Sequence, residues 1–265
     1  MTRKGRTDMN TFTFTVDDNI RFLRELNSSR YKSIFDHPYL AMYKRFHDIF
    51  GTKVQLNLFY KMEGFDLSMM SVRYLDEVRA SSDWLKLSFH SRLENTRPYE
   101  RASYDEIAED LAAVNREIVR FAGKESLATT TTIHYCRTSP EALTALRDGG
   151  VKGLLGLYGT EREKRISYSL PENIADDLRR GDLVTYDGIT HASIDMIVNL
   201  FDTASATERL RTLLSRKMLR LMIHEQYFYP DYHAYQSEFE YKLYMCFSLL
   251  KERGYESVFF EDVIK

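Results

Sequence analysis

Residues 11–16, Thr11-Phe12-Thr13-Phe14-Thr15-Val16, alternate polar and apolar side chains in a run of strong β-formers that stops at Asp17-Asp18-Asn19. This predicts a first strand. Helical spacing over about 36–50 ends at Gly51, and residues 53–60 predict a second strand. A helix near 67–80 follows, then a strand over 84–89 ending at His90, then an amphipathic helix over 104–121 closed by Gly123. Residues 129–133 read as a strand ending at His134. Ser139 as cap and Pro140 at the first helical position open another helix, which Gly149-Gly150 closes before the apolar strand 151–157.

The segment 158–190 has weaker patterning, with a charged run at Glu161–Arg165 and a small helix at 172–179, and reads as an excursion from the repeat. Periodicity returns with a strand at 188–194 ending at Asp195, a helix at 205–217, the strand 219–223 ending at His224, and a helix at 235–253 stopped by Gly254. A last strand is expected at 257–260. Alternation of this kind implies a parallel sheet. About seven to eight strand–helix units without a proline- or glycine-rich linker predict one α/β domain over residues 1–265, as a closed or nearly closed (β/α) barrel. An open doubly wound sheet is the alternative.

Composition narrows the function classes. With 43% apolar and 29% charged residues the chain is an ordinary globular one, and 39 acidic against 37 basic residues leave a net charge of −2. That balance argues against nucleic acid as a partner. Cys136 and Cys246 are too few for a disulfide framework or a four-cysteine zinc site. The basic N-terminus lacks the apolar stretch of a signal peptide, and no window approaches the ~20 apolar residues of a membrane span, so a soluble cytoplasmic protein is expected.

The candidate chemistry lies at strand ends. Asp17 and Asp18, His90, His134, Asp195 and His224 each close a predicted strand, and in a barrel those ends share the face on which the βα loops build active sites. Taken singly, adjacent aspartates serve as caps and a lone histidine as a structural polar group. The joint placement points to one pocket. Carboxylate and imidazole there suit zinc or another first-row divalent ion, which acidifies water and polarises a carbonyl, so a hydrolase is expected. Glu94, four residues after His90, is a second candidate ligand or an exposed loop carboxylate. His37, His47 and His233 end no predicted strand and read as structural or surface residues.

These residues resemble the polysaccharide deacetylases of carbohydrate esterase family four, whose fold is an irregular (β/α) barrel. Thr15-Val16-Asp17-Asp18-Asn19 is similar to the family's TFDDG motif, which implies Asp17 as general base and Asp18 as metal ligand. His90-Ser91-Arg92-Leu93-Glu94 resembles the H-S-x-x-H metal motif with Glu94 in place of the second histidine, and Leu221-Met222-Ile223-His224 matches L-x-x-H, which implies His224 as general acid. The R-x-P-Y motif has no match where it should fall. That place holds His134-Tyr135-Cys136-Arg137, and Arg97-Pro98-Tyr99 comes too early.

The resemblance implies removal of an N-acetyl or similar acyl group from a carbohydrate or small amide. The divalent metal would be zinc first, with nickel or cobalt as alternatives. Asp17 takes a proton from water, and His224 protonates the departing nitrogen with support from Glu225 or Asp195. His134, Arg137, Asp195 and Tyr227 are the expected substrate-binding residues. Tyr227 belongs to an aromatic run that either stacks on sugar or seals the barrel top. Two alternatives stand beside this. One is a ligand-binding barrel without chemistry. The other is a different metal-dependent hydrolase that uses His134 or His191 instead of Glu94. Small-molecule or carbohydrate substrates are the expected partners, and self-association into a homo-oligomer is left open.

Overall fold

The computed structural model describes residues 9–94, 99–158 and 167–264. The N-terminal basic run, Arg97-Pro98 and the charged run Glu161–Arg165 lie outside them. In chain order the elements begin β1 (Thr11–Asn19), α1 (Arg21–Ser28), α2 (Pro38–Phe50), β2 (Val54–Met62), β3 (Phe65–Asp66), α3 (Leu75–Ala80), β4 (Leu85–Leu93), α4 (Tyr104–Ala122) and β5 (Thr130–Thr131). They continue α5 (Pro140–Asp148), β6 (Gly153–Gly156), α6 (Glu172–Arg180), β7 (Val184–Tyr186), β8 (Ile189–Ser193), β9 (Met196–Ile197), α7 (Thr203–Leu213), β10 (Met218–His224), α8 (Phe239–Glu252) and β11 (Glu256–Ser257).

Strands β4, β2, β1, β10 and β9 lie side by side and parallel, with β11 parallel to the start of β1 and β3 antiparallel on β2. A second sheet runs β5-β6-β8, parallel, with β7 antiparallel at its edge. The sheets meet where Leu87 of β4 bridges Leu127 and the Ala128 amide donates to the Leu87 carbonyl at 2.9 Å. At the other seam, Ile194 donates to the Gly156 carbonyl and Asp195 to that of Arg220, at 2.8 and 2.9 Å. The circuit closes as an irregular (β/α) barrel, in agreement with the strand–helix rhythm of the sequence.

The alternation in β1 separates two environments. Phe12 and Phe14 pack on Phe247 of α8, with ring centroids 5.9 and 5.0 Å apart, whereas Thr13, Thr15 and Asp17 share the opposite face. Helix α5 starts as expected, with the Ser139 hydroxyl accepting from the Ala142 amide.

Several elements depart from expectation, among them the strand expected at 257–260, which is reduced to Glu256–Ser257 ahead of a 3₁₀ turn over Phe260–Asp262. The helix expected near 67–80 is two 3₁₀ turns followed by α3, because Asp66 and Ser71 each bond the backbone two residues on and restart the chain. Strand β5 keeps only Thr130 and Thr131 of the five residues expected. Helix α1 was not expected. Its N-cap, Ile20, has no side-chain cap, and its first amides are bonded instead by Glu225 from the far end of the chain.

Candidate metal centre

Two successive aspartates on a regular strand point to opposite sides. Here Asp18 is left-handed (φ 63°) and the pairing with β2 shifts register between Val16 and Asn19, so both carboxylates line one cavity of about 820 Å³. His90 reaches the same cavity from β4. His134 reaches it from the turn after β5, where Tyr135 (φ 61°) and Cys136 (φ 54°) are also left-handed. Backbone of this kind is costly for residues other than glycine. All of these residues line the cavity, as expected where structure is spent on holding a site.

Among the described residues, Asp18, His90 and His134 form a group whose ligand atoms all lie within 4.8 Å of one another. His90 Nε2 is 3.0 Å from Asp18 Oδ1, and His134 Nδ1 is 3.2 Å from that oxygen and 3.2 Å from His90 Nε2. The outer nitrogens are already committed: His90 Nδ1 donates to the Thr132 carbonyl, and His134 Nε2 to the Glu94 carbonyl at 2.7 Å. A carbonyl only accepts, so these contacts fix both tautomers and leave a lone pair on the inner nitrogen of each neutral ring. Gln226 Nε2 donates to Asp18 Oδ2 at 2.7 Å, which turns Oδ1 toward the rings.

One carboxylate oxygen and two imidazole lone pairs thus face a common point, each ligand held by a partner behind it. That donor set fits a first-row divalent cation. The ring of Phe59, with centroids 5.2 and 5.0 Å from those of His90 and His134, makes an apolar wall behind them.

The charges at the site are coupled. Burial works against the Asp18 carboxylate, yet the His134 and His90 rings beside it, at 3.2 and 3.0 Å, hold its carboxyl well below the usual range. Burial also works against a charged His90, but the Asp17 and Asp18 carboxylates and the Thr132 carbonyl outweigh it and raise its pKa. Asp17 goes the other way. Burial raises its pKa despite His90, His224 and a 2.6 Å hydrogen bond from the Asn57 amide. His224 pairs in register with Asp17 across β1 and β10, and its Nδ1 lies 2.9 Å from Asn199 Oδ1. An amide oxygen there accepts the Nδ1 proton, so Nε2 is the nitrogen left for the cavity.

The structure brings together Asp17, Asp18, His90, His134, Arg137, His224 and Tyr227 around this cavity. Arg137 stands at its rim, paired with Glu100 at 2.7 Å, and the Tyr227 ring is 6.1 Å from that of His224. Glu94 is not in the group. Strand β4 shifts register against β2 at His90 but continues through Leu93, leaving the Glu94 side chain exposed, and its carbonyl is what touches His134. Asp195 is not on the cavity either. Its side chain, 1% exposed, is bound by Arg216 and by Arg220, the latter at 3.0 Å. Glu225 does not support His224, since it accepts from the amides of Ile20, Arg21 and Phe22 at 2.7, 2.9 and 2.7 Å. His191 is fully buried on β8, where burial lowers its pKa to about 4. Sequence reasoning missed Asn57, Asn199 and Gln226. Asn57 shares the parity of Gln55 along β2, and that repeated polar parity on a barrel strand was the available signal.

No protein-family profile matches the sequence, and no curated protein does. Solved structures do. A family 4 acetyl xylan esterase from Clostridium thermocellum, in complex with a cobalt ion, superposes with a TM-score of 0.56 over 95% of this chain and 89% of its own, at 14% identity. A carbohydrate esterase family 4 pseudoenzyme from Bacillus anthracis gives 0.54 over 98% of this chain and 67% of its own, at 11% identity. The fold is that of carbohydrate esterase family four. A 4-alpha-glucanotransferase from Thermococcus litoralis has the same architecture, at 0.61 and 14% identity, with 97% of this chain spanning 40% of that one. The likeness extends the motif resemblance to the fold. Relative to the H-S-x-x-H pattern of family four, the second imidazole here comes from His134 after β5.

Proposed function

We propose that this protein is a metal-dependent hydrolase that removes an acyl group from the nitrogen of a carbohydrate or another small amide. The observation that carries the reading is the pair of imidazoles whose inner nitrogens lie 3.2 Å apart beside the Asp18 carboxylate, with both outer nitrogens bonded to backbone carbonyls. In the neutral rings the inner lone pairs face one another, an arrangement that a cation between them would satisfy. Asp18, His90 and His134 would hold it, with zinc first and nickel or cobalt as alternatives. The Clostridium thermocellum esterase was solved with cobalt.

When bound, the cation supplies a Lewis acid that polarises the acyl carbonyl and acidifies a water. Asp17, steadied by Asn57, accepts the proton of that water as its oxygen joins the acyl carbon. The carbon–nitrogen bond then breaks, and His224 Nε2 delivers the proton that the departing amine requires. Arg137 and Tyr227, at the rim, would meet the rest of the substrate.

Asp17→Asn tests the assignment. Hydrolysis of a responsive acyl amide should fall by roughly 10²–10⁴ while the metal content stays stoichiometric. Unchanged turnover would refute the role of Asp17. A second reading, a barrel that binds but does not turn over, draws support from the neutral amide of Asn199 behind His224, where a carboxylate would stabilise the imidazolium better. Stoichiometric metal with no turnover across an acyl-amide panel would be its signature.

A further inference from the structure

The two halves of the barrel interior differ in chemistry beneath the site. On the side of β1, β2 and β4 the cavity floor gives way to a polar ladder, in which Asn57 is bonded to Asp17, Gln55 and Ser88. On the side of β6, β9 and β10 it is apolar. Met222 lies two residues before His224 and so on the same face of β10, and it is the in-register partner of Ile197 on β9. Ile197 and Leu157 are both only partly buried and pack against the small core cluster that contains Met222, Leu157 touching the main core as well. All three line the cavity, and Leu200, 67% exposed, stands at its lip. A small core that opens into a site and carries an exposed aliphatic residue at its edge is a surface for apolar ligand.

Resting on the reading above, we infer that this floor is an acyl subsite: the site takes amides whose acyl group is an alkyl chain longer than acetyl. The amine half, with its polar body, faces the mouth, where Arg137 and Glu100 pair. Met222 lies two residues before His224 on β10, so a chain that runs from the carbonyl down that strand meets Met222 and its in-register partner Ile197, with Leu157 also on the cavity wall. Each methylene buried there strengthens binding about fourfold.

The test measures binding, not turnover. Zinc-loaded protein is titrated calorimetrically with acetohydroxamate and with octanohydroxamate, chelators that differ only in the alkyl chain. The expected result is binding of the eight-carbon probe at least tenfold tighter than the two-carbon probe, and no comparable binding to metal-free protein. Ile197→Trp or Leu157→Trp, each checked for folding by its thermal melt, should cut that advantage below threefold by filling the floor. Equal binding of the two probes, or an advantage that survives both tryptophans or persists without zinc, overturns the acyl subsite and leaves the metal centre standing. Failure of both probes to bind zinc-loaded protein overturns the metal centre, and the subsite with it.

Discussion

Removing His134 should weaken metal binding strongly, and removing the Glu94 side chain should leave it nearly unchanged. His134→Ala deletes one of three converging donors and leaves Asp18 and His90 as the only side chains of the group. Outer partners of metal ligands are commonly worth 10–100-fold in affinity, so a ligand itself should exceed the upper figure. We expect a loss of more than about a hundredfold, or roughly 2.8 kcal/mol at 1.4 kcal/mol per tenfold. Glu94→Ala removes an exposed carboxylate but keeps the main-chain carbonyl that orients His134 Nε2, so its affinity should stay within about threefold of wild type. Gln226→Leu, which frees Asp18 Oδ2, belongs between them, at 10–100-fold. Chelator-stripped proteins titrated with zinc against a chromophoric competitor give these constants without any substrate. Equal losses in His134→Ala and Glu94→Ala, or a His134→Ala protein that binds within threefold of wild type, would refute the geometry argued here.

Two further outcomes concern the frame around the site. Asp195→Ala strands the Arg220 guanidinium, whose side chain is 2% exposed, and should cost about 3–5 kcal/mol in urea unfolding while zinc affinity is unchanged; Asp195→Leu with Arg220→Met should recover most of it. Burial pushes the Glu225 carboxyl from its ordinary 4.5 up to about 7, against the three amides and the Tyr229 hydroxyl that favour its anion. A raised carboxyl pKa means the folded protein holds this proton more tightly than the unfolded chain does. The contribution to stability is therefore full below pH 4.5 and is lost as pH rises toward 7. Thermal melts across that window should show the decline in wild type and its absence in Glu225→Gln; parallel profiles would disprove the shift.

The parts of the site legible in the sequence were those carried by local pattern. The Thr/Phe alternation placed Asp17 and Asp18 at a strand end, and the strands before His90 and His224 set those residues on the same face. Glu94 misled because an i, i+4 pair shares an ion only if the chain turns after the first ligand, and β4 instead continues through Leu93. His134 was visible as a strand-end residue, but its place beside His90 depends on left-handed Tyr135 and Cys136, for which neither residue type gives a warning. Helix α1 was hidden for a different reason. Its cap is Glu225, 205 residues beyond Ile20, and no local rule reaches that far.

That distant cap also orders events as the chain is made. Asp18, His90 and His134 all fall within the first 134 of the 265 residues, but a chain of that length has no partner for β1 along one side and no acceptor for the leading amides of α1. Both are completed by the strand ending at His224 and by Glu225 next to it. A nascent chain would carry the full set of cation donors long before it carried its acid, and the residue pair that delivers the acid also locks the first strand shut.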